Sequence, residues 1–135
     1  METAYQFLAD YAADQGGKIY AVGAGFDTIM ASSVPVRHEQ MTLVCGLRYS
    51  AMEFGERHLE AHLIDADGKD VVPPFRGAAM LPRVGDGTGG SHRLLFRWIN
   101  VELPRFGAYA AILTLDGAEV ANVPFRLAQR PEQSR

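Results

Sequence analysis

Apolar and polar residues alternate with a period of two along almost the whole of this chain. Successive side chains of a strand point to opposite faces, so the pattern buries one face of an extended segment and wets the other. The clearest stretch is residues 40–49. Met41, Leu43, Cys45, Leu47 and Tyr49 share one face there, while Thr42, Arg48 and the following Ser50 take the other. Residues 58–65 alternate again, with Leu59, Ala61 and Leu63 inward. Val, Ile, Tyr and Phe are spread throughout, and Asp14-Gln15-Gly16-Gly17, Asp67-Gly68 and Asp116-Gly117 are turn sequences. The chain is therefore expected to be all-β.

The first strand spans residues 5–13, and a hairpin returns the chain along 18–26. Gly23 and Gly25 mark a bulge or a close backbone approach. Residues 32–38, with Pro35, form a connection. Residues 71–81 contain Pro73-Pro74 and make an edge strand at best. Residues 82–90 hold four glycines and are expected to be an exposed irregular loop. In the long strand 93–103, Leu94, Phe96 and Trp98 share a face, while Val101 and Leu103 have the opposite parity. A β-bulge near Ile99-Asn100 would produce that slip. Strands at 108–115 and 120–127 close the domain. Residues 52–63 contain good helix formers, but Gly55 and the 59/61/63 alternation favour a strand from about Arg57.

The 135 residues suffice for one domain, assigned to 1–128, with 129–135 a polar tail. One cysteine, Cys45, excludes an internal disulfide and multi-cysteine metal sites. The 13 basic and 16 acidic residues give −3, which argues against a general nucleic-acid binder. Residues 1–70 carry 11 acids and 5 bases, and residues 71–135 carry 5 acids and 8 arginines. No like-charge run exceeds two residues, so interleaved strands would mix the signs. Neither an export signal nor an apolar span of about 18 residues is visible, so no membrane partner and a cytoplasmic location are expected.

Leu103-Pro104-Arg105-Phe106-Gly107-Ala108-Tyr109 is the most informative segment. In immunoglobulin-like sandwiches a tyrosine near the start of a strand bonds back to backbone a few residues upstream. Pro104 fixes φ, Gly107 permits the bend and Tyr109 folds back, a structural role. Phe7-Leu8-Ala9-Asp10-Tyr11-Ala12, Gly17-Lys18-Ile19, Val22-Gly23-Ala24-Gly25-Phe26-Asp27 and Leu63-Ile64-Asp65-Ala66-Asp67-Gly68-Lys69 precede it in order. Together with Pro104-Arg105-Phe106-Gly107-Ala108-Tyr109 they resemble a family of small bacterial proteins known only as a domain of unknown function. The resemblance covers about residues 4–128. It implies a single-domain β-sandwich of bacterial origin and carries over no catalytic residue.

His58, Glu60 and His62 come nearest to a metal site. On a strand they point the same way, about 6.5–7 Å apart, with donors suited to zinc or another first-row ion. Reaching one ion together would stretch all three, no fourth ligand is evident, and the solvated outer face of a half-buried strand accounts for them without a metal. Asp65-Ala66-Asp67-Gly68-Lys69-Asp70 imitates a calcium loop but lacks a later bidentate Glu and reads as a tight turn. Cys45 reads as a small core residue. Ser91-His92 would diverge on an extended chain, and Gly23-Ala24-Gly25 lacks the third glycine of a dinucleotide fingerprint. Asp10 sits among apolar residues. Arg93, Arg97 and Arg105 near Trp98 and Phe106 suggest binding of single-stranded nucleic acid or carbohydrate, but Arg93 and Arg97 oppose Phe96 and Trp98 on a regular strand.

The expected fold is a single antiparallel β-sandwich, immunoglobulin-like, of about seven to nine strands. The expected function is a non-enzymatic protein-interaction or structural module, without cofactor, acting on another protein or through a self-associating edge strand. The alternative is a small-ligand or metal-binding sandwich using the 58/60/62 face.

Overall fold

The computed structural model describes residues 1–83 and 90–131. It is all-β, with ten strands: β1 Glu2–Ala9, β2 Tyr11–Gln15, β3 Lys18–Val22, β4 Thr28–Ala31, β5 Val36–Tyr49, β6 Gly55–Asp65, β7 Phe75–Leu81, β8 Gly90–Leu103, β9 Gly107–Leu115 and β10 Ala118–Gln129. Three sheets result, of order β1-β5-β8, β4-β10-β9-β6-β7 and β2-β3. The first two supply one shared core that includes Leu8, Leu43, Leu47, Leu63, Trp98, Leu113, Phe125 and Leu127. None of the described elements is a helix long and apolar enough to cross a membrane. The glycine-rich loop expected at 82–90 falls mostly outside the described residues.

A single antiparallel sandwich of seven to nine strands is thus corrected in two respects. The expected first strand breaks at Asp10, and its second half pairs with β3 instead of β5 as a hairpin of its own. Gly23 makes the break possible. Its carbonyl accepts the Asp10 N–H at 3.3 Å, its φ is +64°, and a Cβ there would run into the Asp10 carboxylate. Only glycine meets both conditions. The second correction is β4, which pairs parallel to β10 through Thr28–Ala31. The last strand runs to Gln129, and the Arg130 N–H still bonds the Ala31 carbonyl at 2.7 Å.

The small third sheet explains why β5 is buried on both faces. Met41, Leu43, Cys45, Leu47 and Tyr49 face the main core. On the other side Val44 packs with Ala9 and Ala12 in a second cluster joined by Phe7, Ile19 and Leu95. Thr42, expected to be solvated, is 1% exposed.

β8 pairs with β5 along its whole length, from Tyr49↔Gly90 to Val36↔Leu103. Its inward residues change parity as expected, Leu94 and Trp98 giving way to Val101 and Leu103. The cause is not a two-against-one bulge. Met41↔Trp98 and His38↔Val101 keep one register across the slip, and Asn100 absorbs it with φ +54°. Asparagine tolerates that left-handed conformation better than most residues. Asp116-Gly117 closes the β9–β10 hairpin with φ of 49° and 82°, the two-residue turn whose twist matches the strands.

Candidate functional site

The outward face of β6 brings His58, Glu60 and His62 together. The Glu60 carboxylate lies between the rings, Oε2 3.0 Å from His58 Nε2 and Oε1 3.0 Å from His62 Nε2. Arg76 Nε on β7 is 3.7 Å from the same Oε1. Asp70 completes the row, its Oδ1 2.9 Å from His62 Nδ1. Sequence reasoning placed Asp70 in a turn and did not join it to this row, because it reaches β6 only after the Asp65–Gly68 turn doubles the chain back onto Ile64.

Both ring nitrogens of His62 face carboxylate oxygens. A neutral imidazole has one N–H, so only the imidazolium donates to both. Burial of the ring opposes that charge, but the hydrogen bonds it donates to Asp70 and Glu60 outweigh it and raise the His62 pKa. Donation by His62, then by His58, lowers that of Glu60. The arrangement is an ion-pair clamp holding the 66–72 segment to β6. Among the described residues no three His, Cys, Asp or Glu side chains are set to hold a metal ion. The donors of this row face one another instead of a common point.

The other candidates have local structural partners. Asp65 Oδ1 accepts the N–H groups of Asp67 and Lys69 at 2.9 and 3.0 Å, and its Oδ2 takes Arg105 at 3.0 Å. These bonds, that from Lys69 first, lower the Asp65 pKa and describe a turn, not a cation loop. Tyr109 Oη donates to the Arg105 carbonyl at 2.5 Å and accepts the Arg105 N–H at 3.1 Å. Pro104 and Gly107 bracket that bend, and the Tyr109 ring stacks on Phe125. Cys45 is buried and its thiol is pushed up to about 11 by desolvation, the reverse of an activated nucleophile. Asp10 lines a shallow hollow with Gly23, Gly25, Thr28 and His38.

Arg93 and Arg97 reach the β2–β3 hairpin. Arg93 pairs with Asp14 at 2.8 Å, and the Arg97 guanidinium lies 4.7 Å from the Tyr11 ring centre. Trp98 and Phe96 turn the other way, edge to face at 4.8 Å, with Trp98 6% exposed. The arginines and these aromatics therefore form no joint platform for bases.

Among the described residues the longest edge strand is β8. It is the terminal strand of its sheet, and only β5 lies beside it among the described residues. Fourteen residues span about 45 Å at roughly 3.4 Å each. Ile99 is 63% exposed, and Arg97, Asn100 and Glu102 are exposed too. The other edges are shorter: β4 has four residues, β7 has seven and follows Pro73-Pro74, and β1 is kinked between Thr3 and Tyr5. Shortness and prolines guard those edges, and β8 has neither; its own irregularity is the slip at Asn100, beside the exposed charges of Arg97 and Glu102. No single sequence signal marks this site, since an edge is defined by a missing neighbour.

Against known proteins, residues 4–128 match the family described as "Family of unknown function (DUF6941)", and the chain belongs to it. No curated protein matches the chain. A likeness exists to the solved structure of Pseudomonas fluorescens alkylpurine DNA glycosylase AlkC bound to DNA containing an abasic site analog, at 11% identity and a TM-score of 0.49. It covers 76% of this chain and 28% of that one. The chain thus spans just over a quarter of that protein.

Proposed function

We propose that this chain is a non-enzymatic interaction module of immunoglobulin-like topology that receives a partner strand along the free edge of β8. The topology is supported by a three-stranded and a five-stranded sheet sharing one core, with a tyrosine corner opening β9. The observation that carries the function is the edge itself: a fourteen-residue strand whose outward-pointing backbone donors and acceptors face no partner strand among the described residues, beside an exposed Ile99. Strand addition satisfies such groups with main-chain hydrogen bonds and takes specificity from alternate side chains. A cytoplasmic location belongs to the same proposal, as does the absence of nucleic acid and membrane among the partners. The lone Cys45 is buried, and Arg93 is already paired with Asp14.

Amide hydrogen exchange tests the reading. Exchange is followed strand by strand on the purified chain at low and high concentration, and again in an extract of the cells that express it. Residues 96–103 are expected to gain protection in at least one condition, with β6 unchanged. Unaltered exchange along β8 in every condition, or protection gained on β6 alone, overturns it.

A further inference from the structure

We infer that the strand received by this edge is β8 of a second copy, antiparallel, about a two-fold axis between Ile99 and Asn100. The inference rests on the edge being the binding site and adds the identity and register of the partner.

The parity slip at Asn100 carries the argument. Inward-facing residues are Phe96 and Trp98 before it, Val101 and Leu103 after it. Outward-facing residues are Arg97 and Ile99 before it, Asn100 and Glu102 after it. In a regular strand, neighbouring residues face opposite ways, so a two-fold axis between two neighbours would set inward against outward. The slip reverses that rule locally. About an axis between Ile99 and Asn100, Phe96 meets Leu103 of the second copy, Arg97 meets Glu102, Trp98 meets Val101 and Ile99 meets Asn100. Inward residues meet inward residues in every pair, and outward residues meet outward ones. Centring the axis on Ile99 sets Arg97 against Val101, and centring it on Asn100 sets Trp98 against Glu102, so both mix the faces.

Charge selects the same register. Arg97 and Glu102 are exposed, and neither has an ion-pair partner within 4.0 Å among the described residues. The proposed axis sets them opposite each other twice, once on each side. Two registers within the regular half do the reverse: an axis at Leu95 opposes Arg93 and Arg97, and an axis at Arg97 opposes that residue to itself; an axis at Phe96 keeps the faces but sets Arg97 against Leu95 and pairs no opposite charges. Ile99 would lie beside the axis, shielded where it is now exposed. The product is a continuous six-stranded sheet of order β1-β5-β8-β8-β5-β1.

Sedimentation analysis of the full chain tests this, with Arg97→Glu, Glu102→Arg, the double exchange and Ile99→Lys, each checked for native circular dichroism. The wild type is expected to dimerise. Either single reversal places like charges at two symmetric positions and should weaken the dimer about tenfold or more, while the double exchange restores it. Ile99→Lys should also weaken it, because two added charges meet near the axis. A wild type that stays monomeric at its highest soluble concentration overturns the inference. So does a dimer that the double exchange fails to restore. If amide protection on β8 appears only in cell extract while the pure chain is monomeric, the second copy is wrong and the edge reading stands. If β8 gains protection nowhere, both fall.

Discussion

The outward face of β6 and the outer edge of β8 both carry charged residues on long strands, yet their chemistry has opposite outcomes. On β6, His58, Glu60, His62, Asp70 and Arg76 form one row in which each group faces an opposite or hydrogen-bonding neighbour. On β8, neither Glu102 nor Arg97, which lies over the Tyr11 ring, has an ion-pair partner among the described residues, and no described strand pairs with the outer edge. A cluster rich in ligand-type residues can thus be closed within its own molecule, while a less conspicuous strand keeps free valences. Residue type alone would have pointed to the first.

The difference between face and edge within β8 gives the largest expected effect. Trp98→Ala should destabilise the fold by about 3–5 kcal/mol, since it empties a core position against Phe96 and Met41. Ile99→Lys, one residue away, should change monomer stability by no more than about 0.5 kcal/mol, as a substitution on an open surface. Chemical denaturation at low protein concentration measures both. Comparable losses would mean that Ile99 is covered and would break the comparison. Trp98 emission should be blue-shifted and resistant to aqueous quenchers in the monomer.

Much of this was legible in the sequence where the signal is local. The 41/43/45/47/49 alternation, the Asp116-Gly117 turn and the Pro104–Tyr109 segment act within a few residues, so propensity and spacing suffice to place them. The 58/60/62 row was legible for the same reason. What was hidden depends on partners distant in sequence. Nothing in residues 5–13 stops a strand, and the break at Asp10 appears only once Gly23 lies beside it. β4 is four residues whose partner lies almost a hundred positions later. Thr42 looked solvated because one strand cannot reveal that the hairpin covers its second face. The slip in β8 was legible as a change of parity, but its mechanism was not: matching irregularities in two strands keep a register that one strand alone would lose.

Tyr109→Phe sharpens the comparison from the β6 side. Its hydroxyl both donates to and accepts from the Arg105 backbone, and the Arg105 side chain reaches Asp65 at the end of β6. The phenylalanine keeps the stacking on Phe125 and removes both part-buried hydrogen bonds to the Arg105 backbone, so a loss of about 1–1.5 kcal/mol is expected. An unchanged denaturation midpoint would show that the corner does not anchor β9. Dimer formation through β8 should be unaffected, because that edge is built without Tyr109.

The smallest effect tests whether the β6 row is closed by charge. His62 has its pKa raised in the folded state, because the hydrogen bonds to Asp70 and Glu60 prevail over the burial that opposes protonation. A raised histidine pKa stabilises the fold fully below the unfolded value of about 6.5, and that contribution is lost as pH rises through the folded pKa. Glu60, whose pKa is lowered, acts in the other direction: its contribution is present above the unfolded carboxylate value and lost as pH falls. The clamp is therefore strongest between the carboxylate and histidine titrations. His92 opposes the trend, since burial and then Arg93 lower its pKa, so the wild-type profile mixes both. The difference between wild type and His62→Gln removes His92 from the comparison. That difference should be about 0.5–1 kcal/mol in favour of the wild type near pH 6 and should shrink toward pH 8, in keeping with a partly exposed ion pair. Thermal melts across that range measure it. A constant difference would mean that His62 holds Asp70 as a neutral ring, by one hydrogen bond only, and the contrast with β8 would then be one of packing and not of charge.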